Sequence, residues 1–229
     1  MSGATHAARV YRVGLTGNIA AGKSEVAAVW KRLGAPIIDA DVLARRAVEP
    51  GSAGLAAVVD AFGPGVLSAD GSLDRAALAD VVFSDPDQRR RLEGILHPEV
   101  ARLRPLAERE AVTEALESGS EARREVEAPV VVVHDIPLLF EVGLQGEFDE
   151  VVHVHAPVQT RLARLVAHRG MDPDNAAARI DAQMPSEEKI DLADRVIDNE
   201  AGLDDLAAEA TRVWRLIGEA SLKASRDRG

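Results

Sequence analysis

Val10-Tyr11-Arg12-Val13-Gly14-Leu15-Thr16-Gly17-Asn18-Ile19-Ala20-Ala21-Gly22-Lys23-Ser24 is the stretch on which the reading of this chain turns. A short apolar run alternating with polar residues predicts a strand, and Gly17 to Ser24 fits G-x-x-x-x-G-K-[ST] at every defined position. Such a loop must curl until successive backbone N–H groups point at phosphate oxygens, which glycines permit without a Cβ clash. Gly17, Asn18, Ala20, Ala21, Gly22, Lys23, Ser24 and Glu25 are therefore the expected surroundings of a nucleotide triphosphate. Lys23 would reach the β- and γ-phosphates, and the Ser24 hydroxyl is placed to ligate magnesium. A helix beginning near Gly22 would aim its positive end at the same anion. Glu25 to Leu33 suits it, with Val26, Val29, Trp30 and Leu33 on one side.

The whole chain bounds the function. Its 229 residues suit one substantial domain with insertions, or a core plus a smaller lobe, and 46% apolar residues are ample for a core. A net charge of −11 would repel a nucleic-acid backbone, and there is no basic stripe interleaved with aromatics. With no cysteine, disulfides, thiolate metal sites and thiol nucleophiles are excluded. The first nine residues contain no apolar leader segment, and no run approaches a membrane span. A cytoplasmic protein without membrane or nucleic-acid partners is expected, as a monomer or weak homo-oligomer.

After the first helix, Ala35 to Ile38 reads as a second strand running into Asp39-Ala40-Asp41. A period of two would put both carboxylates on one side at the strand's carboxyl end, where ligands bind in open parallel sheets. There a carboxylate can accept a proton or hold metal-bound water. One of the pair can instead cap a helix over Val42 to Val48. Residues 50–116 read as a helical insertion: Leu55, Val58, Val59 and Phe62 form one face, Ser72 is expected to cap a helix over Leu73 to Phe83, and Pro98 to restart a long helix begun at Asp85-Pro86. Residues 117–128 are polar and read as a surface loop.

Pro129 to Val133 has the pattern of a central parallel strand buried on both faces. It leads to Asp135, expected either to hold magnesium through water or to cap or salt-bridge the loop. Val151 to Val154 is a fourth strand, whose His153 and neighbour His155 read as ordinary sheet-edge histidines. Arg161, Arg164 and His168 follow at helical spacing on one face, suggesting a mobile lid over phosphates or, more plainly, a solvated face. Arg195 to Asp198, before Asn199, reads as a fifth strand, and Leu203 to about Leu222 as a closing amphipathic helix with a polar tail.

Five strands separated by helices predict an α/β fold: a P-loop NTPase-type, doubly wound parallel five-stranded sheet with a helical acceptor-binding insertion and an Arg-bearing lid. Residues 1–49, 129–158 and 193–229 would form the nucleotide-binding core, 50–128 the insertion and 159–192 the lid. This is the plan of a small phosphoryl-transfer kinase using ATP and Mg2+.

Several blocks, in this order, make the resemblance specific. Val13 to Ser24, Asp39-Ala40-Asp41, Val48-Glu49-Pro50-Gly51, Asp70-Gly71 with Leu73-Asp74-Arg75, Leu96-His97-Pro98, Ile136 to Glu141 and Asp198-Asn199 resemble dephospho-CoA kinase, from about Val10 to about Trp214. The resemblance implies transfer of the ATP γ-phosphate to the ribose 3′-hydroxyl of dephospho-CoA. It implies Asp41 as general base with Asp39 beside it, and Arg164, with Arg161, as lid arginines on phosphate. It further implies Leu138 and Leu139 in the acceptor pocket, His97 in a His-Pro element on the acceptor side, and Asn199 near the adenine.

The chain departs from the family where glycines are usual at Asn18 and Ala20, and threonine at Glu25. Asn tolerates a left-handed backbone, Ala20 is expected to need a negative φ, and Glu25 would weaken nucleotide binding unless it turns outward. Among rivals, a GTPase would need Asn-Lys-x-Asp where the chain has Asp198-Asn199-Glu200-Ala201. A non-catalytic nucleotide-binding regulator would not need paired acids and a lid. A P-loop kinase of another small acceptor, such as a nucleoside monophosphate, shares the architecture.

Overall fold

The computed structural model of the chain describes residues 9–83, 85–118 and 128–227. Most of the polar stretch expected as a loop at 117–128 lies outside the described residues, as do the first eight residues and the last two.

Five strands, β1 (Val10–Gly17), β2 (Ile37–Asp39), β3 (Val130–Asp135), β4 (Glu150–His155) and β5 (Arg195–Asp198), form one sheet in the order β2-β3-β1-β4-β5. β1 runs parallel to β3 and β4, and β4 to β5. The order reverses beside β1: the chain runs first to the edge strand β2, returns to place β3 between β2 and β1, then crosses to β4 and β5 on the other side. The carboxyl end of β1 is thus a topological switch point, where open α/β sheets bind ligands. β3 is buried at every position, as its β-branched run predicts, but extends through His134 to Asp135. β4 lies inside the sheet, so His153 and His155 are not on an edge strand.

Contacts divide the chain into two compact units, residues 1–37 with 111–229, and residues 38–110. This is a division of packing, with the residues expected as a lid inside the first unit.

In the first unit, the alternating residues Val13 and Leu15 of β1, Val131 and Val133 of β3, Val152 and Val154 of β4 and Ile197 of β5 build one buried face. Helices α1 (Lys23–Arg32) and α9 (Leu203–Asp227) cover it through Val26, Trp30, Leu206, Ala210, Val213 and Ile217. Trp30 is fully buried and donates its indole N–H to the Ala210 carbonyl at 2.8 Å. α9 outruns the expected end near Leu222, because Ser221 is still buried and Arg9 donates to the Ser225 carbonyl and hydroxyl. At the amino end of β4 the buried Glu150 accepts from Tyr11 and pairs with Arg195, and burial pushes the Tyr11 phenol up. The first unit also holds α6 (Val158–Arg169), α7 (Pro173–Asp181) and α8 (Ser186–Leu192).

The second unit contains α2 (Ala40–Arg46), α3 (Ala53–Phe62), α4 (Arg75–Phe83) and most of α5 (Pro86–Ser118), around Val48, Leu55, Val58, Val66 and Leu78. Ser72 is not the cap of α4. Its own N–H and hydroxyl bond to Asp70, and Asp74 accepts from Ala76 and Ala77 instead. Nor does Pro98 restart a helix. α5 continues through Pro98 and Pro105, with Leu92, Ile95 and Leu96 packed on the unit's core and Leu103 buried. Tertiary packing holds the axis where each proline forfeits one internal bond.

Candidate active site

The phosphate loop leaves β1 at Gly17, where an added Cβ would lie 2.9 Å from the Val154 carbonyl oxygen. Gly22 carries the turn into α1 at φ 102°, and a Cβ there would lie 2.2 Å from Asn199 Nδ2. Both glycines are therefore fixed by neighbours as well as by backbone. Ala20 sits at φ 60°, in the left-handed region rather than at the negative φ expected for it. The conformation costs an L-residue about 1–2 kcal/mol, and surrounding bonds hold it. Arg164 donates Nη1–H to the carbonyls of Ala20 and Ala21 at 3.2 and 3.5 Å, and Nη2–H to the backbone and side-chain oxygens of Asn199, each at 3.1 Å. Asn199 is buried and donates Nδ2–H to the Ala21 carbonyl at 2.7 Å. The Ala20 and Ala21 carbonyls are thus taken up by a guanidinium and an amide, so the backbone acceptors on that side of the loop are satisfied.

Lys23, on the first turn of α1, forms an ion pair with Asp135, the buried last residue of β3. Asp135 comes beside the loop because β3 pairs with β1 in register, Leu15 opposite Asp135. Ser24 and Glu25 are both exposed. Ser24 and Asp135 offer a hydroxyl and a carboxylate, oxygen donors of the type magnesium takes when nucleotide phosphates supply the rest. Among the described residues no cluster of three or more His, Cys, Asp and Glu is placed to hold a metal.

The two acids after β2 do not project together as strand residues. β2 stops at Asp39, and Asp41 belongs to the first turn of α2. The reason is local: Asp39 is the helix cap, its Oδ1 accepting from Asp41 N at 2.7 Å and Val42 N at 3.2 Å. Asp41 stands exposed. His97 is exposed on α5 in the same unit. In the first unit, Leu138 is 45% exposed while Leu139 is fully buried against Gly14, so Leu138 is the accessible member of the pair.

Arg161 does not share an accessible face with Arg164. It is 2% exposed, donates Nε–H to the Ala156 carbonyl at 3.1 Å, and has its guanidinium pKa lowered by burial. The α6 spacing grades from buried Arg161 through half-buried Arg164 to exposed His168.

The structure adds Gln183, Ser186 and Lys189, which spacing did not single out. Gln183 Oε1 accepts from Ile19 N at 2.7 Å, and Asn18 Nδ2 donates to the Met184 carbonyl at 2.9 Å. Just beyond, the buried Ser186 hydroxyl lies between His153 Nε2 at 2.9 Å and His155 Nδ1 at 2.8 Å. Lys189 is fully buried and pairs with Glu141 at 2.7 Å. Burial, with Lys189, His155 and Arg161 nearby, pushes the His153 imidazole down to about 3.

The profile of the dephospho-CoA kinase family matches residues 11–205. The chain belongs to this family. A dephospho-CoA kinase of Streptomyces avermitilis is 47% identical over 203 residues, 89% of this chain and 92% of its own length. One from Cutibacterium acnes is 46% identical over 211 residues, covering 92% and 86%. Among solved structures, that of TT1252 from Thermus thermophilus superposes with a TM-score of 0.69 at 38% identity, covering 90% of this chain and 97% of the other. This kinase therefore transfers phosphate from ATP, and the loop from Gly17 to Ser24 is its P-loop. No helix among its described residues is long and apolar enough to cross a membrane.

Proposed function

We propose that the chain moves the γ-phosphate of ATP to the ribose 3′-hydroxyl of dephospho-CoA, with Asp41 as the base that accepts the hydroxyl proton. The observation that carries the reading is the P-loop at the switch point of a chain of this family, with Lys23 on the first turn of α1 paired to the buried Asp135. Lys23 exchanges that carboxylate for phosphate oxygens when nucleotide enters, and the loop's N–H groups hold the β-phosphate. Ser24 and Asp135 would hold Mg2+, which when bound neutralises phosphate charge. Asp41 is preferred to Asp39 as base because Asp39 is engaged in capping α2, whereas Asp41 is exposed. Arg164 orders the loop from outside.

We assign acceptor recognition to the helical part of the chain, including His97, and to Leu138. Its supporting feature is an apolar cavity of about 210 Å3 inside the second unit, lined by Val48, Leu73, Leu78, Val82 and Leu96, with Arg75 supplying a cation. That chemistry suits a ligand with an apolar arm and an anionic group. The setting fits a cytoplasmic enzyme acting as a monomer or weak homo-oligomer on small molecules, away from nucleic acid and membrane.

ADP release from purified protein with ATP and magnesium, with and without dephospho-CoA, tests the proposal. Acceptor-dependent turnover should yield CoA and fall about 10²- to 10⁴-fold in Asp41→Asn, the usual range for a positioned base. Turnover surviving that change would remove Asp41 as base. Folded protein that binds ATP yet shows no acceptor-dependent turnover would refute the assignment of substrate.

A further inference from the structure

The side chain of Asn18, within the phosphate loop, does something no glycine could. It is 3% exposed and donates to the Met184 carbonyl at 2.9 Å, while Gln183 accepts the N–H of the next loop residue, Ile19, at 2.7 Å. Two bonds therefore tie consecutive P-loop residues to two consecutive residues between α7 and α8. The segment they reach is itself anchored. Ser186, two residues on, is lodged between His153 and His155 of β4, and Lys189 pairs with Glu141.

The amide of Asn18 adds little to net stability, because its Oδ1 is buried with no hydrogen-bond partner among the described residues. Burying that oxygen offsets what the Nδ2 bond contributes. What the pair of bonds does supply is position. A P-loop with glycine at 18 and 20 samples many backbone shapes, only some with converging N–H groups. Asn18 and Ala20 narrow that range, and the bonds to Gln183 and Met184 hold the loop where Arg164 and Asn199 take its carbonyls.

We propose that Gln183 and the Met184 carbonyl form an anchored platform that pre-shapes the phosphate loop, making Gln183 and Asn18 positioning residues for nucleotide binding. The ordering that a Gly-rich loop would undergo when nucleotide arrives is here built in beforehand, so placing glycine at 18 weakens binding. The inference rests on the reading that this loop holds ATP, not on the identity of the acceptor.

The test uses the full chain as wild type, Gln183→Met, Asn18→Gly and the double variant. ADP dissociation constants are measured by calorimetry, alongside KM for ATP, KM for dephospho-CoA, kcat and melting temperature. Gln183→Met keeps side-chain length at a half-buried turn position and removes only the acceptor. Each single change should raise the ADP dissociation constant and the KM for ATP about five- to tenfold, the scale of one hydrogen bond. The KM for dephospho-CoA and the melting temperature should hold, and the double variant should fall short of the product of the singles because both bonds act on one loop. Should Asn18→Gly fail to fold, Ser186→Ala, which loosens the platform without touching the loop, should raise the ADP constant in the same direction. Unchanged or tighter ADP binding in Gln183→Met overturns the proposal, as does a rise in both KM values together with a lower melting temperature. Wild type that binds ADP but does not phosphorylate dephospho-CoA would refute the substrate and leave the platform comparison intact.

Discussion

Replacing Gly22 with alanine puts a methyl group where the structure leaves no room: its Cβ would lie 2.2 Å from Asn199 Nδ2, 3.3 Å from Asn199 Cγ and 3.5 Å from Leu206 Cδ2. The backbone at φ 102° adds to the cost, since an L-residue held there is strained by about 1–3 kcal/mol. Asn199 must retreat. Doing so breaks its 2.7 Å bond to the Ala21 carbonyl and disturbs its two contacts with Arg164. Leaving such buried groups unsatisfied costs about 1–3 kcal/mol. The two contributions together predict a loss of about 2–6 kcal/mol, a large share of the roughly 5–15 kcal/mol that stabilises a typical domain. Urea unfolding gives the stability, and calorimetry with ADP gives binding, which should become undetectable or at least tenfold weaker. A cycle with Asn199→Ala isolates the cause: truncating Asn199 opens space for the new methyl, so the double variant should lose about 1–2 kcal/mol less than the sum of the singles. Full additivity, or a Gly22→Ala protein within about 0.5 kcal/mol of wild type, would refute the reasoning from close approach.

Further outcomes follow from the same geometry. The native His153 imidazole binds its proton only near 3, whereas an unfolded chain binds it near 6.5, so the unfolded state gains protons first on acidification. Stability from this group is therefore complete above 6.5 and falls as pH falls toward 3, by about 1.4 kcal/mol per pH unit. Between pH 7 and 5 wild type should lose about 2 kcal/mol more than His153→Gln in urea unfolding; equal losses would contradict it. Asp135→Asn removes the ion-pair partner of Lys23, and magnesium-dependent turnover should drop by at least about tenfold in protein that remains folded. Trp30→Phe deletes the buried bond to the Ala210 carbonyl and should destabilise by about 1–3 kcal/mol in chemical denaturation.

Much of the chemistry was legible in local patterns. A G-x-x-x-x-G-K-S loop between a strand and a helix has one physical use, and the all-valine run of β3 is what a strand covered on both faces requires. These signals are short-range, so Gly17, Gly22, Lys23 and the five strands needed no knowledge of partners. Where two local rules competed, sequence could not choose. Asp39 satisfied both the period-two strand and the helix cap, and the cap won because its oxygen takes two N–H groups of α2 at once. Pro98 lost to packing that no window of sequence displays.

What sequence determined was the inventory: a phosphate loop, its lysine and hydroxyl, an acid at the end of each of two strands, and arginines on a later helix. Tertiary structure decided what those groups face. Only the β1–β3 register sets Asp135 against Lys23, and only the crossing to β4 and β5 puts Arg164 and Asn199 behind the loop. Arg161 and Arg164 are three residues apart on one helix, yet one is buried under the chain and the other clasps the loop. Helical spacing fixes relative direction about an axis, and the absolute direction follows from how the helix seats on the sheet. The left-handed Ala20 and the bonds from Asn18 and Gln183 have the same origin: each is held by groups distant in sequence, so no local preference could announce them.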